Sequence, residues 1–263
     1  MSNSMVVRIW LVVLVVLQPG FLVRPAMPSS SCRSSCGNNV HIPYPFGIDP
    51  GCGSPAFFNL LACMKSEVTA GEEDLLILVN PPSQNRRVLW IDNTSETMLV
   101  DWSTSCPIST SQSPDAIFSD FPNIRPSSHN VFALLNCTFN SSNHQYNGRT
   151  CDQMYRLFVI FKRFKPPCLF AESKHLRSSI AAFGCTHYVP VYHPSKDYSG
   201  VTGDLSFLGL KVEYQVPPEE TRNCAQCESS GGVCGFNQQT LVETCLCNSN
   251  INPTPIAAGC GGE

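Results

Sequence analysis

Fifteen cysteines, every one of them after residue 31, set the strongest limit on what this chain can fold into. Cys32, Cys36, Cys52 and Cys63 open a first dense cluster, and Cys224, Cys227, Cys234, Cys245, Cys247 and Cys260 form a second. Cys106, Cys137, Cys151, Cys168 and Cys185 are spread between them. Thiols at this density are expected to be bridged, and bridges persist in oxidising compartments. The tail cluster has too little apolar sequence for a core of its own, so covalent staples must hold it. Its six cysteines allow fifteen pairings, and the spacing selects none of them. An odd total means that at least one thiol is left over or pairs between chains. If the two clusters are closed units, that thiol lies among the nine cysteines upstream of the tail.

The N-terminus agrees with an oxidising destination. Arg8 precedes an apolar run, 9–17, that breaks at Gln18-Pro19-Gly20. Nine apolar residues suit the core of a signal peptide and fall short of the roughly 20 that span a bilayer. Residues 1–26 are therefore read as a leader, with cleavage after Gly20 the other option. No later apolar run approaches spanning length. The expectation is a secreted, extracellular product, membrane-anchored only in a longer form. The net charge of −3 lacks the basic footprint that nucleic acid requires.

Between the clusters the chain reads as β-rich. Leu75–Val79 is a short apolar strand stopped by Pro81-Pro82. Arg87–Asp92 and Thr97–Trp102 flank a polar tetrad, as in a hairpin. Val131–Cys137 and Tyr155–Phe161 also read as strands. Residues 106–130 read as a long loop, and 169–183 as the one helical candidate. Leu210, Val212, Tyr214 and Val216 alternate with polar residues, which predicts a half-buried strand. Pro217-Pro218-Glu219-Glu220 reads as a linker and module boundary. The fold class is thus mainly β and disulfide-rich: a cystine-stapled module over 27–216, with its core motif at 32–102, then a cysteine-rich module of epidermal-growth-factor-like size over 217–263. Three glycosylation sequons begin at Asn93, Asn136 and Asn140. The first falls at the expected hairpin tip, and the second has a cysteine as its middle residue.

Catalytic motifs are missing. There is no Gly-x-Ser-x-Gly elbow, the six histidines are scattered, and the adjacent acids at 72–74 and 219–220 sit in expected turns. The chain is read as a non-enzyme without a cofactor. Cys224-x2-Cys227 with Cys245-x-Cys247 could close a zinc site. Disulfides are the commoner outcome in a secreted chain, so no metal is assigned.

Two ordered motifs carry a resemblance. Cys36-Gly37-Asn38, Ile42-Pro43-Tyr44-Pro45-Phe46-Gly47-Ile48, Cys52-Gly53-x-Pro55-x-Phe57 and Leu61-x-Cys63 resemble the galacturonan-binding module of plant wall-associated receptor-like kinases and their leaf-rust-resistance relatives. Cys224-x2-Cys227-x-Ser229-x-Gly231-Gly232-x-Cys234-Gly235-Phe236, ending Cys245-x-Cys247, is similar to that family's C-terminal module. The resemblance implies an extracellular domain that binds pectic polysaccharide. Family members continue into a membrane span and a Ser/Thr kinase, neither of which follows here before Glu263. The alternative reading is an apoplastic protein- or peptide-interaction module, engaging a peptide or co-receptor, or a decoy.

A galacturonan ligand is an anionic sugar polymer, so stacking rings and guanidinium groups are the chemistry to look for. Tyr44 and Phe46 are the candidate stacking residues, with Trp90 and Trp102 as further aromatics. Arg86 and Arg87 are the candidate carboxylate binders, ahead of Lys162, Arg163 and Lys165. Each has a competing structural role, as core packing for the rings and as strand-edge protection for the cations. The chain's acidity makes long-range attraction weak, so binding would need a local patch or bridging Ca2+.

Overall fold

The computed structural model describes residues 32–37, 40–65, 74–79, 85–103, 107–119, 121–138, 151, 159–164, 167–192, 208–247 and 254–260. Its strands, all paired antiparallel, are β1 (Ser35–Cys36), β2 (Val40–His41), β3 (Leu61–Lys65), β4 (Asp74–Leu78), β5 (Arg86–Asp92), β6 (Thr97–Asp101), β7 (Ile108–Ser109) and β8 (Ile124–Pro126), then β9 (Val131–Leu135), β10 (Leu169–Glu172), β11 (His187–Val191), β12 (Gly209–Tyr214), β13 (Val233–Phe236), β14 (Glu243–Leu246) and β15 (Thr254–Pro255). Among the described residues two α-helices accompany them, α1 (Leu176–Phe183) and α2 (Pro218–Ser229).

A six-stranded sheet runs β3-β4-β5-β6-β12-β8, and a four-stranded sheet runs β10-β9-β11-β7. One continuous cluster of buried side chains joins the two, from Val88, Met98 and Val100 to Phe132, Leu134 and Val189. Every residue of β9 is buried, which explains why its sequence is an unbroken apolar run rather than an alternation. β12 shows the opposite pattern: Leu210, Val212 and Tyr214 are buried while Lys211 and Glu213 are half-exposed, as its alternation predicts. Each such buried aliphatic side chain stabilises the fold by about 1.5–3 kcal/mol relative to exposure.

Asn130 locks the end of β9 to β12. Its amide donates to the carbonyls of Ser127 (2.9 Å) and Lys211 (2.7 Å), and its Oδ1 accepts from the Lys211 N–H (2.9 Å). The β5–β6 hairpin forms as expected, with a bulge between Val88 and Trp90 and a turn at 93–96.

Three expectations need correction. Residues 169–183 divide into β10, a 3-10 turn and α1, because Leu169–Glu172 pair with β9 before the helix begins. Within the expected strand 155–161, Val159–Phe161 belong to a 3-10 turn and the preceding residues lie outside the described set. The expected loop 106–130 contains β7, β8 and a 3-10 turn at Pro114–Phe118 capped by Ser113. These pieces are too short to show a period, yet they extend both sheets.

The expected linker at 217–220 is also not one. Pro218 occupies the first turn of α2, with Glu219 and Glu220 beside it. A proline that lacks an amide donor and acids facing the positive end of the helix are both favourable there. Three residues apart on one face, Cys224 and Cys227 are buried and bridge to Cys234 and Cys245. Cys247–Cys260 completes the tail. Upstream the bridges are Cys32–Cys52, Cys36–Cys63, Cys137–Cys185 and Cys151–Cys168. Fourteen cysteines are thereby paired, no bridge crosses between the clusters, and elimination leaves Cys106, outside the described residues, as the odd one. A Cβ on Gly232 would press on the sulfurs of Cys227, Cys245 and Cys260, so glycine is the residue that lets this sulfur cluster close.

Candidate ligand-binding cleft at the module junction

The two cystine clusters, far apart in sequence, are spliced through their backbones. Gly53 N–H donates to the Cys234 carbonyl (3.0 Å) and Phe236 N–H to the Gly51 carbonyl (2.8 Å), with Cys52 opposite Gly235. Residues 51–53 therefore act as one more antiparallel strand on the edge of β13. The approach is close because Gly235 has no side chain: a Cβ there would meet the Gly51 oxygen and the Leu246 side chain. Phe58 packs edge-on against Phe236 at 5.2 Å across the same junction.

Above this splice lies a cleft of about 470 Å³. Arg33, His41, Pro43, Tyr44 and Asn93 line it from the N-terminal segment, and Thr221, Ala225, Glu228 and Val233 from α2 and β13. The turn 43–46, closed by Phe46 N–H to the Pro43 carbonyl (3.0 Å), shapes one wall and contains a cis Tyr44–Pro45 peptide. That turn sends its two rings to different places. Phe46 is buried at 4% exposure, edge-on to Phe57 (5.3 Å) and Tyr214 (4.7 Å). Tyr44 is half-buried and packs against the cores of both modules.

Tyr44 is also the hub of the junction's polar groups. Its hydroxyl donates to Glu243 Oε1 (3.4 Å), and nearby Ser54 donates to Glu220 Oε2 (2.8 Å). Burial, then the charges of Glu243 and Glu220, push the Tyr44 hydroxyl far above the usual phenol range. Burial and the Glu220 carboxylate likewise hold Glu243 above the ordinary carboxylate range, against hydrogen bonds from Asn223 and Tyr44. Tyr214, raised chiefly by burial, donates to Oδ1 of the lining residue Asn93 (3.2 Å).

The cleft's charge is acidic on balance. Its guanidinium, Arg33, is paired with Asp49, Nη2 to Oδ1 at 2.7 Å. Burial raises the Asp49 carboxyl, but hydrogen bonds and charge from Arg33 outweigh it and leave the group below its ordinary value. Glu228 in the lining, with Glu220 and Glu243 around Tyr44, supplies the negative charge.

The sequence-predicted site residues are not brought together. Tyr44 and Phe46 adjoin the cleft, but Phe46 belongs to the core. Arg86 and Arg87 lie on β5, outside the cleft lining. Arg86 is 5% exposed, with its guanidinium carbon 3.5 Å from the centroid of the buried Trp102 ring, an arrangement that stabilises the sheet interior. Arg87 is exposed, as are Lys162 and Arg163 on a different element, while Lys165 lies outside the described residues. Trp90 sits edge-on to Tyr192 at 6.1 Å. The cysteines weighed for zinc are each in a bridge. Sequence reasoning missed Asn93 as a lining residue and Glu220 and Glu243 as the acids around Tyr44. Only Glu220 had a local signal, the proline-plus-acid start of α2.

Residues 32–101 match the family model for the galacturonan-binding module of wall-associated receptor kinases. Residues 170–250 match the model for the C-terminal module of wall-associated receptor kinases. The two matched segments hold the opposing walls of the cleft. A leaf rust 10 disease-resistance locus receptor-like protein kinase-like 1.5 from Arabidopsis thaliana is 25% identical over 242 residues, which is 86% of this chain and 34% of that protein. The chain thus spans about a third of that relative's length. No solved structure matches. No helix among the described residues is long and apolar enough to cross a membrane.

Proposed function

We infer that this chain, which belongs to the wall-associated and leaf-rust-resistance class of plant receptor-kinase ectodomains, binds pectic galacturonan through the cleft at its module junction. The observation that carries the reading is the galacturonan-binding match over 32–101, because that stretch supplies one whole wall of the cleft. Both matched models are extracellular modules, which supports recognition on the cell-wall side rather than catalysis. Tyr44 offers a ring edge and Pro43 an apolar surface for a sugar face, with His41 and Arg33 at the rim.

Electrostatics narrows the ligand. Glu228, Glu220 and Glu243 repel a bare polyuronate, and Arg33 is already satisfied by Asp49. The cleft therefore suits galacturonan whose carboxylates are methyl-esterified, or joined to the protein through Ca2+. The test is titration of the secreted chain with oligogalacturonides and their methyl esters, at low and physiological salt, with and without Ca2+. Binding of the ester, or Ca2+-dependent binding of the acid, is expected; no association under any of these conditions would sink the reading.

A second reading, recognition of an apoplastic protein or peptide, has its own support. Leu241 and Val242 at the β13–β14 turn are 55% and 61% exposed. Retention of a wall protein on immobilised chain after pectinase treatment, lost in Leu241→Ser/Val242→Ser, would favour it.

A further inference from the structure

We propose that Asn93 carries an N-linked glycan whose first sugars stand at the mouth of the junction cleft and limit access to it. The inference rests on the extracellular placement argued above and goes beyond it. Asn93 is exposed at the β5–β6 turn and lines the cleft directly. The Tyr214 hydroxyl binds its Oδ1 at 3.2 Å, so the carboxamide has a fixed orientation. Its Nδ2, the other branch of that group, is directed away from the hydroxyl. The third residue of the sequon, Ser95, is exposed and held in the turn by Asp92 Oδ2 (2.7 Å).

The Asn136 sequon is built differently. Asn136 Nδ2 donates to Thr186 Oγ1 (2.8 Å), Cys137 is bridged to Cys185, and the Thr138 N–H donates to the Phe183 carbonyl (3.1 Å). All three of its residues are tied into the sheet end and α1. Asn140 lies outside the described residues.

In the modification, a polyprenyl-pyrophosphate-linked oligosaccharide of the secretory pathway is the donor. A bond forms between Asn93 Nδ2 and the sugar's anomeric carbon, the carbon–oxygen bond to phosphate breaks, Nδ2 loses one proton and the polyprenyl pyrophosphate leaves. A branched, hydrated group rooted at this position shares the cleft with Glu228, His41 and Tyr44.

The test uses the full chain secreted from plant cells. Peptide N-glycosidase in 18O-labelled water converts a glycan-bearing asparagine to labelled aspartate, and peptide mass spectrometry is expected to find the label at position 93. Carbethoxylation of exposed His41 in the cleft, read against exposed His129 as control, is expected to rise severalfold on deglycosylation. The same rise is expected in Asn93→Gln and Ser95→Ala, and not in Ser95→Thr, which keeps the sequon. Asn93 found bare, whether in secreted chain or because the chain never enters the secretory pathway, overturns the proposal. So does an occupied Asn93 whose removal leaves His41 labelling unchanged. Neither readout uses pectin, so a failure here is distinct from a failure of galacturonan binding.

Discussion

Tyr44 has two separable roles, and substitutions can pull them apart. Its ring fills space shared by the two cores, while its hydroxyl makes a long 3.4 Å bond to Glu243. Tyr44→Phe is expected to cost about 1 kcal/mol or less, and Tyr44→Ala about 3 kcal/mol, read from denaturant midpoints. Glu243 gives a pH signature. Its folded pKa lies above the ordinary value of 4.5, so the native state holds this proton more tightly than the unfolded chain does. Its contribution is therefore most favourable below that value and is lost as pH rises through the raised folded value. Asp49 and Glu172, whose values are depressed by Arg33 and Lys174 against burial, work with the opposite slope, as does Asp92, lowered to about 2 by hydrogen bonds from Thr94 and Ser95. The informative quantity is thus the difference between wild type and Glu243→Gln. The variant should gain stability relative to wild type as pH rises above 4.5, and a flat difference would remove Glu243 from the account.

Among the elements, those with a local cause could be read from sequence and those with a distant cause could not. β12 alternates because one of its faces meets the core, and the β5–β6 hairpin follows from two β-rich runs around a polar tetrad. By contrast Tyr44 and Glu243 are 199 residues apart, and no pattern around either points to the other. The start of α2 was legible but ambiguous: Pro217-Pro218 ends a strand and Pro218-Glu219-Glu220 opens a helix, and only the buried Cys224 and Cys227 on one face decide between them. Arg86 looked like a surface cation because its neighbour Arg87 is one. Alternation along β5 sends the two to opposite faces, and Arg86 meets Trp102. Asn130 shows the same limit, since a lone asparagine before a strand reads as a turn residue. Its three bonds at the β9–β12 contact predict that Asn130→Ala costs about 2–4 kcal/mol in equilibrium unfolding, and Asn130→Asp at least as much, since an ionised carboxylate can donate to neither carbonyl.

For the whole molecule, the two cystine clusters are distinct in their bridges but joined in their backbone bonds. Gly235→Val should wedge them apart, because a side chain there meets the Gly51 oxygen. Hydrogen exchange at the amides of Gly53 and Phe236 is expected to quicken together by about tenfold or more, the equivalent of about 1.4 kcal/mol, while amides of β9 stay unchanged. Independent exchange of those two amides would mean that the splice is not a unit. The splice also has a mechanical meaning. Strands joined side by side and drawn along their length carry load in shear, with their bonds strained together rather than one after another. A tug on the tail is therefore shared between the chain that runs from β12 into α2 and the bonds at Gly51–Gly53, beside the turn that seats Tyr44 and Phe46.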